Sequence, residues 1–404
     1  MTNLPHIYIA LPVMDEPEWL PVILSLLGKQ NFSRFTLVVC INQPDAWWDD
    51  PSTSALCETN ALSLALLNGL RDFRIEVIDK SSKGAGWTGK RHGVGWARKT
   101  IMDHISREAG PTDILLSLDA DTVFSENYLG SVAETLAAYP KATALSVPYF
   151  HPLPEDRVAA RAILRYEIYM RYYVLNLWRI RSPYAFTALG SAMAVPVWAY
   201  RKVGGMTPKR SGEDFYFLQK LRKAGGLICR NSECVFPAAR FSSRVFFGTG
   251  PAMIRGAQGD WKSYPIYPFR LFDEIGESYL RFHELYSIFT ETSVTRFLQK
   301  QTGDEDPFET LRKNATDVKQ FVKACHEKFD GLRILQFLKQ RQKEVGGLDE
   351  ENLTEWLEMF CPGFQLRDKK SFSFTESSIE ELDELRNFLF WEEEKSRESD
   401  LLLR

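Results

Sequence analysis

Apolar and polar stretches alternate along the first 150 residues in the pattern of strands followed by helices. The apolar runs that predict strands lie at residues 6–13, 35–41, 73–78, 114–118 and 143–147. Apolar residues at helical spacing predict helices over residues 15–27, 53–70, 96–105 and 126–139. Continuously apolar strands that alternate with helices predict a mostly parallel sheet with helices on both faces. The predicted fold class is therefore α/β and Rossmann-like.

Polar residues follow four of these strands at the edge where open α/β sheets bind their ligands. They are Asp15 and Glu16, Asn42, Asp79, and the pair Asp119 and Asp121. We expect these side chains to converge on one crevice.

The segment from Asp113 to Thr122 is the one around which the chain is organised. Its apolar strand ends on Asp119 and Asp121, which period-two alternation points to the same side, with Ala120 turned away. Two carboxylates this close repel each other unless a cation lies between them or one is protonated. Mg²⁺ or Mn²⁺, with oxygen ligands and sites left for phosphates, would serve. A solvated turn or a helix cap is the alternative.

A glycine-rich basic loop spans residues 80–95 and leads into a helix. It departs from both the dinucleotide fingerprint and the P-loop, because four polar residues separate Asp79 from Gly84 and because Arg91 replaces the P-loop Ser or Thr. A flexible loop with Lys90 and Arg91 at a helix N-terminus still suits a diphosphate. A solvated basic loop is the alternative.

Two further segments have open interpretations. Glu213 and Asp214 stand just before a predicted helix, where they either cap it or provide a carboxylate for general base chemistry. Residues 155–181 predict a long amphipathic helix rich in Arg and Tyr. That helix could line a groove or touch anionic lipid, or simply pack with a solvated basic face.

The composition changes near residue 270, where glycine becomes rare and charges interleave. We predict one domain over residues 1–270 and an all-helical region over residues 271–404. The helices are expected near residues 273–300, 307–328, 331–344, 350–360 and 377–396.

Net charge and cysteine usage narrow the function classes. A net charge of −3 argues against nucleic-acid binding, and six scattered cysteines indicate reduced structural thiols. The N-terminus lacks a basic segment, and residues 188–200 are too short to cross a bilayer. These features predict a cytoplasmic protein without a transmembrane segment, with peripheral membrane contact left open.

Five segments in order resemble glycosyltransferase family 2, the inverting nucleotide-diphosphosugar transferases of GT-A fold. They cover about residues 5–250: "LPVMDEPEWLPVILSLL", "TGKRHGVGWA", "LLSLDADT", "GSAMAVPVWAYRKVGGM" and "SGEDFYFLQKLRKAG". The third is similar to the family's DxD motif and the fifth to its Glu-Asp motif. The resemblance implies a GT-A fold, a nucleotide-diphosphate sugar donor, and a glycan, lipid or small-molecule acceptor.

The resemblance also implies roles for individual residues. Asp121 would bind Mn²⁺ or Mg²⁺, with Asp119 at the metal or the ribose, while Asp214 would be the general base and Glu213 would orient the acceptor. The residues implied to hold the donor are Pro12, Asp15, Glu16, Asn42, Lys90, Asp119 and Arg244.

Departures from the family pattern limit these expectations. The second strand ends in Cys40-Ile-Asn-Gln43 where the family has acidic residues, so the resemblance does not settle the donor base. The Gln-x-x-Arg-Trp motif of processive members is absent from the sequence, which favours transfer of a single sugar. Self-association of the chain through the C-terminal helices is a further hypothesis.

Two other functions remain compatible with the sequence. "ILLSLDADTV" also resembles the signature of haloacid-dehalogenase-type phosphatases, in which Asp119 would be phosphorylated and Asp121 would be the acid/base. Three strand–helix units precede this segment, however, whereas that fold builds from the motif onward. A non-catalytic nucleotide-sugar-binding scaffold is the third hypothesis.

Overall fold

The computed structural model describes residues 4–209, 211–243, 248–364 and 372–403, and the chain forms two compact units. The first comprises Met1–Ile163, Thr187–Gln258 and Asp400–Arg404, and the second comprises Leu164–Phe186 and Gly259–Ser399. The second unit thus includes a segment that precedes residue 270. The domain division at residue 270 stays a prediction.

The first unit contains every strand of the described residues. They are β1 (Ile7–Val13), β2 (Phe35–Asn42), β3 (Ile75–Lys80), β4 (Ile114–Ser117), β5 (Thr122–Phe124), β6 (Ala142–Ser146), β7 (Met193–Pro196), β8 (Gly226–Ile228) and β9 (Val235–Pro237). Seven of these form one sheet in the order β3-β2-β1-β4-β7-β6-β8. Strand β7 runs antiparallel to β4 and β6, and the other pairs are parallel. Strands β5 and β9 form a separate antiparallel pair.

Helices flank the sheet in the first unit and make up the second. The helices are α1 (Trp19–Gly28), α2 (Ser54–Gly69), α3 (Val94–Glu108), α4 (Tyr128–Ala138), α5 (Arg157–Arg179), α6 (Val197–Lys202), α7 (Glu213–Ala224), α8 (Thr249–Ala257), α9 (Phe269–Leu280), α10 (Ser293–Thr302), α11 (Glu309–Asn314), α12 (Val318–Lys328), α13 (Gly331–Val345), α14 (Asp349–Phe360) and α15 (Ile379–Leu403). The predicted α/β class with a helical C-terminal region is confirmed.

Continuous apolar sequence explains the central strands. All eight residues of β2 are buried, and β2 pairs in parallel with β1 on one side and β3 on the other. A strand with both faces covered by helices needs apolar side chains in both directions, which the sequence FTLVVCIN provides in all but two positions. Because β1 pairs in parallel with both β2 and β4, the carboxyl ends of these three strands lie at the same edge of the sheet.

The predicted start of the first helix at Asp15 is wrong, because α1 begins at Trp19. Asp15 has a φ of 56°, in the left-handed region, and its backbone N–H donates to Asn60 Oδ1 at 2.8 Å. The chain therefore turns sharply as it leaves β1, and Asp can adopt this conformation because its short polar side chain tolerates it.

Two predicted C-terminal helices are each divided in the structure. The predicted helix over residues 273–300 is α9 followed by α10, and the one over residues 307–328 is α11 followed by α12. Side-chain caps restart the second member of each pair. Thr292 and Thr295 form a capping box at α10, and Asp317 accepts the backbone N–H of Gln320 at α12.

The second unit buries the arginines of α5. Arg171 is fully buried and forms ion pairs with Glu167 and Glu393, while Arg165 pairs with Asp349. The expectation of a solvated or lipid-facing basic surface is therefore wrong for these two arginines, because acidic partners from the same unit enclose them. No helix of the described residues is both long enough and apolar enough to span a membrane.

Candidate active site

The two aspartates of the DxD segment lie in the turn between β4 and β5. The turn is closed by the backbone N–H of Thr122, which donates to the carbonyl of Asp119 at 3.2 Å. The side chains of Asp119 and Asp121 are 35% and 18% exposed, whereas Ala120 is buried at 3%. Both carboxylates are thus accessible while the residue between them packs inward, as the alternation predicts.

A buried arginine connects Asp119 to the Glu-Asp segment. Arg98 on α3 is 4% exposed and donates through Nη2 to Asp119 and through Nη1 to Glu213. Burial would lower the pKa of the Arg98 guanidinium, but Asp119 and Glu213 raise that pKa above its ordinary value. Arg98 therefore stays charged and joins the two acidic segments, which lie 94 residues apart in the chain.

Gly190 provides the space for this guanidinium. A Cβ at Gly190 would lie 2.5 Å from Arg98 Cζ and 2.6 Å from Arg98 Nη1, distances that no methyl group tolerates. Gly95 has a related role, because its Cβ would collide with the backbone of Lys209. The start of α3 and the segment before α7 can approach each other only because residue 95 is a glycine.

A second arginine lies on Asp121. Arg240 Nε donates to Asp121 Oδ2 at 2.8 Å, and its Nη2 lies 2.6 Å from both Asp121 Oδ2 and Glu16 Oε1. Strand β9 positions Arg240, because β9 pairs with β5 and the backbone N–H of Ala238 donates to the carbonyl of Asp121 at 3.0 Å. Arg240 thus connects the end of β1 with the DxD turn.

The Glu-Asp pair forms the first turn of α7. Gly212 precedes it with a φ of 73° and, as a glycine, provides no side-chain cap at the N-cap position. Glu213 is buried against Arg98, whereas Asp214 is half-buried and its Oδ1 accepts the N–H of Phe215 at 2.7 Å. The capping role considered for the pair therefore does not apply to Glu213, which serves an internal ion pair.

The electrostatic surroundings distinguish Asp214 from Asp121. Burial and the charge of Glu213 raise the pKa of Asp214 to about 7, against the opposing effect of Arg98. Burial and the charge of Asp119 raise the pKa of Asp121 to about 6, although Arg240 lowers it. Asp214 can accept a proton near neutral pH, and Asp121 lies in a site where negative charge is in excess.

The structure brings some of the predicted donor-side residues together. Pro12 is half-buried in β1, Asp15 follows that strand, and Glu16 reaches the DxD turn through Arg240. Asn42 is buried, with Nδ2 donating to the Val13 carbonyl at 2.9 Å and Oδ1 accepting from Trp87 Nε1 at 3.3 Å. Its amide therefore holds the ends of β1 and β2 together, and its predicted contact with a nucleoside stays a prediction.

The glycine loop is anchored rather than freely solvated along its first half. Asp45 Oδ1 accepts the N–H of Gly84 at 2.7 Å, and Trp87 exchanges backbone hydrogen bonds with Gln43 and Asp45. Gly86 packs directly on Asp45, where a Cβ would be 2.7 Å from Asp45 Cα. Lys90 is exposed beyond this anchor. Arg244 lies outside the described residues.

Sequence reasoning missed Arg98, Arg240 and Gly190. Arg98 does carry a signal, because it shares a helix face with Gly95, Met102 and Ile105, which are all buried. An arginine on such a face needs a buried acidic partner. Arg240 and Gly190 have no comparable signal, since only the folded chain brings them to the acids.

The carboxylates fit a hard divalent cation in their chemistry. Asp119, Asp121 and Glu16 offer only oxygen ligands, which Mg²⁺ and Mn²⁺ prefer. Burial and, after it, the charge of Asp119 raise the pKa of Asp121, and a bound cation would relieve the second of these effects. Each of these carboxylates also has a guanidinium partner, Arg98 at Asp119 and Arg240 at the other two.

Comparison with known protein families assigns the chain to one of them. A family model described as "Glycosyl transferase family group 2" matches residues 114–375, more than half of the chain. The chain belongs to this family. The protein is therefore a glycosyltransferase with a GT-A fold, as the resemblance predicted. The matched range contains the DxD turn and the Glu-Asp pair, and membership favours a transferase over a haloacid-dehalogenase-type phosphatase or a non-catalytic scaffold.

Solved structures similar to the chain include two glycosyltransferases. S. aureus TarS 1-349 in complex with UDP-GlcNAc is 12% identical, with a TM-score of 0.42, and the match covers 84% of this chain and 92% of that one. The mannosyltransferase PcManGT from Pyrobaculum calidifontis, in complex with GDP-Man and Mn²⁺, is 14% identical, with a TM-score of 0.40, and the match covers 96% and 88%. No curated protein sequence matches the chain significantly.

Proposed function

We propose that this glycosyltransferase moves one sugar from a nucleotide-diphosphate sugar to an acceptor hydroxyl, with inversion at the anomeric carbon and with Mn²⁺ or Mg²⁺ bound. The acceptor is a glycan, a lipid or a small molecule. Nucleic acid is an unsuitable acceptor for a chain of net charge −3. The proposed location is the cytoplasm, with peripheral membrane contact left open.

The state of Asp214 is the observation that carries this proposal. A general base must be accessible, ionised in part near the working pH and oriented by its neighbours. Asp214 is half-buried, its pKa is raised to about 7, and it follows Glu213, which Arg98 ties to the DxD turn. An inverting transfer requires one such base and no covalent intermediate.

The proposed reaction follows from this placement. Asp214 removes the proton of the acceptor hydroxyl while that oxygen forms a bond with the anomeric carbon of the sugar. The bond from that carbon to the diphosphate breaks, and its electron pair leaves with the diphosphate. Glu213, held by Arg98, fixes the first turn of α7 so that Asp214 keeps its orientation.

The leaving diphosphate needs positive charge. A divalent cation at Asp119 and Asp121 would supply Lewis-acid stabilisation of the developing charge. Among the basic side chains, Lys90 on the exposed part of the glycine loop is a candidate for the same charge. Arg244 keeps the phosphate-binding role that the family resemblance implies for it. Asp15, Glu16 and Asn42 would contact the nucleoside end of the donor.

A binding experiment tests the donor and metal parts of the proposal. We expect UDP, GDP or dTDP to raise the melting temperature of the full chain only when Mn²⁺ or Mg²⁺ is present. A ligand at 100 times its Kd stabilises the folded state by about 2.7 kcal/mol. Asp121→Asn should remove most of the stabilisation, whereas the exposed control Asp72→Asn should keep it.

A turnover experiment separates the competing functions. Nucleotide sugars labelled in the sugar should release that sugar slowly when water replaces the acceptor, and only with the metal present. Release of inorganic phosphate in place of the sugar would support the phosphatase hypothesis. Undiminished nucleotide stabilisation in Asp121→Asn would contradict the metal assignment.

A further inference from the structure

Arg240 occupies one of the two carboxylate oxygens of Asp121, which is a proposed metal ligand. Its Nε and Nη2 approach Asp121 Oδ2 at 2.8 and 2.6 Å, and the same Nη2 approaches Glu16 Oε1 at 2.6 Å. Asp121 and Glu16 are 18% and 8% exposed, while Arg240 is 29% exposed. One half-buried guanidinium thus bridges two carboxylates from different segments of the first unit, and its single charge balances only one of them.

A divalent cation and this guanidinium would compete for the same carboxylate oxygen, Asp121 Oδ2. Mg²⁺ binds carboxylate oxygen at about 2.0–2.1 Å, and on Oδ2 it would need the lone pairs that now accept from Arg240 Nε and Nη2. Two cations on the same carboxylate also repel each other, and burial strengthens that repulsion. The arginine can move more readily than the acids, because Asp121 is fixed by the β4–β5 turn and Arg240 is a long, partly exposed side chain.

We propose that Arg240 is the counter-ion of the donor-free enzyme and that it competes with the divalent cation for Asp121. Binding of metal and nucleotide then exchanges the guanidinium for the metal. This inference rests on the proposed metal dependence of the enzyme and adds a residue that sets how tightly the metal binds. In the absence of donor, Arg240 offsets part of the negative charge at Asp121 and Glu16 and weakens metal binding.

The opposite role for Arg240 predicts the opposite sign. An arginine that holds Asp121 in place while the metal binds the other carboxylate oxygen would strengthen metal binding. Removal of Arg240 would then weaken the metal site. The sign of the change in metal affinity therefore distinguishes competition from support.

The test is a titration of the full chain with Mn²⁺, followed by the electron paramagnetic resonance signal of free Mn²⁺. In the absence of nucleotide, Arg240→Gln should bind Mn²⁺ more tightly than the wild type, by about 5- to 150-fold, the usual range for coupled binding. Arg240→Lys should show a smaller gain, because an ammonium lacks the planar fork that reaches both acids. The exposed Arg107→Gln is the matched control for loss of charge and should not change the affinity.

Each outcome has a distinct meaning. If both Arg240 variants bind Mn²⁺ no more tightly than the wild type does, the proposed competition is overturned. Absence of Mn²⁺ binding in all variants, with UDP or GDP present, overturns the proposed metal dependence along with it. Tighter binding that disappears in the double variant Arg240→Gln/Asp121→Asn supports the competition at Asp121.

Discussion

The guanidinium of Arg98 is the point where the donor side and the acceptor side of the proposed site meet. It is buried, it pairs with Asp119 and Glu213, and Gly190 leaves it room. The energy of a buried charge with two acidic partners depends strongly on its position, because a displacement leaves a carboxylate uncompensated. Activity should therefore respond to small changes around Arg98.

The substitution Gly190→Ala tests this dependence without touching a charged residue. The new methyl group would overlap Arg98 Cζ and Nη1 and displace the guanidinium. We expect turnover of the donor to fall about 100-fold, the cost of roughly 1 Å of misplacement, and overpacking to cost about 1–3 kcal/mol of stability. Gly28→Ala, where no atom lies within 4 Å of the new Cβ, is the control. Unchanged turnover in Gly190→Ala would show that the position of Arg98 is unimportant.

The pH dependence of donor hydrolysis tests the state of Asp214. Its pKa is raised to about 7, and a general base acts in its deprotonated form. The rate with saturating nucleotide sugar should therefore be constant above about pH 7 and fall about tenfold for each pH unit below it. The measurement is a rate profile from pH 5 to pH 9. A profile that stays flat down to pH 5 would exclude Asp214 as the base.

Residues of the site differ in how far sequence reveals them. Asp119, Asp121, Glu213 and Asp214 stand in contiguous motifs, so local sequence and family resemblance were enough to select them. Their arginine partners are different, because a charge pair forms between segments that only the fold brings together. Arg98 could have been suspected from its buried helix face, whereas Arg240 could not.

Helices α5 and α15 share buried ion pairs. Arg171 is 0% exposed, and its partners Glu167 and Glu393 are 0% and 1% exposed, while Arg397 also pairs with Glu393. Such pairs contribute little to stability against an apolar alternative, but removal of one partner is costly. They fix which face of α15 lies against α5.

The substitution Glu393→Ala should destabilise the second unit. It removes the acid that Arg171 and Arg397 share. Because Arg171 keeps Glu167 and Arg397 keeps Glu394, we expect a loss below the about 3–5 kcal/mol of an unpaired buried charge. Denaturant unfolding of the full chain measures the loss as a lower midpoint. Glu398→Ala, an exposed position on the same helix, should change the midpoint little. A midpoint in Glu393→Ala equal to that of the control would mean that the buried pairs are dispensable.

Sequence periodicity located most elements but not their ends. The sequences of β1, β2 and β4 are mostly apolar, and that property placed these strands within a few residues. The start of α1 was misplaced because acids and proline also occur in turns, and Asp15 adopts a left-handed conformation. The divisions after α9 and α11 were missed because the caps Thr292 and Asp317 lie within an otherwise helical pattern.

The chain as a whole combines a sheet-based unit with a helical unit that includes most of α5. The segment Leu164–Phe186 belongs to the same unit as residues 259–399, although about 70 residues of the first unit separate them in sequence. Tyr172, for example, is buried and donates to the carbonyl of Tyr267 at 2.6 Å. This interleaving could not be predicted from composition, which changes only near residue 270.

Truncation after Gln258 should therefore yield an unstable protein. It removes the residues that cover α5 in the second unit and exposes apolar side chains such as Tyr172 and Leu177. We expect aggregation on size-exclusion chromatography or, in any soluble fraction, nucleotide binding without acceptor-dependent transfer. A monodisperse truncated protein with full transferase activity would contradict the need for residues 259–404.

Asp214 is proposed as the base of a sugar transfer whose donor binds elsewhere at the same sheet edge. The most direct measurement compares Asp214→Asn with the wild type for two quantities, nucleotide-sugar affinity and the rate of labelled sugar release. Since a general base contributes about 10²- to 10⁴-fold to the rate, we expect a loss of that size in sugar release with nearly unchanged affinity. An equal loss of donor affinity, or an unchanged rate, would exclude Asp214 as the base.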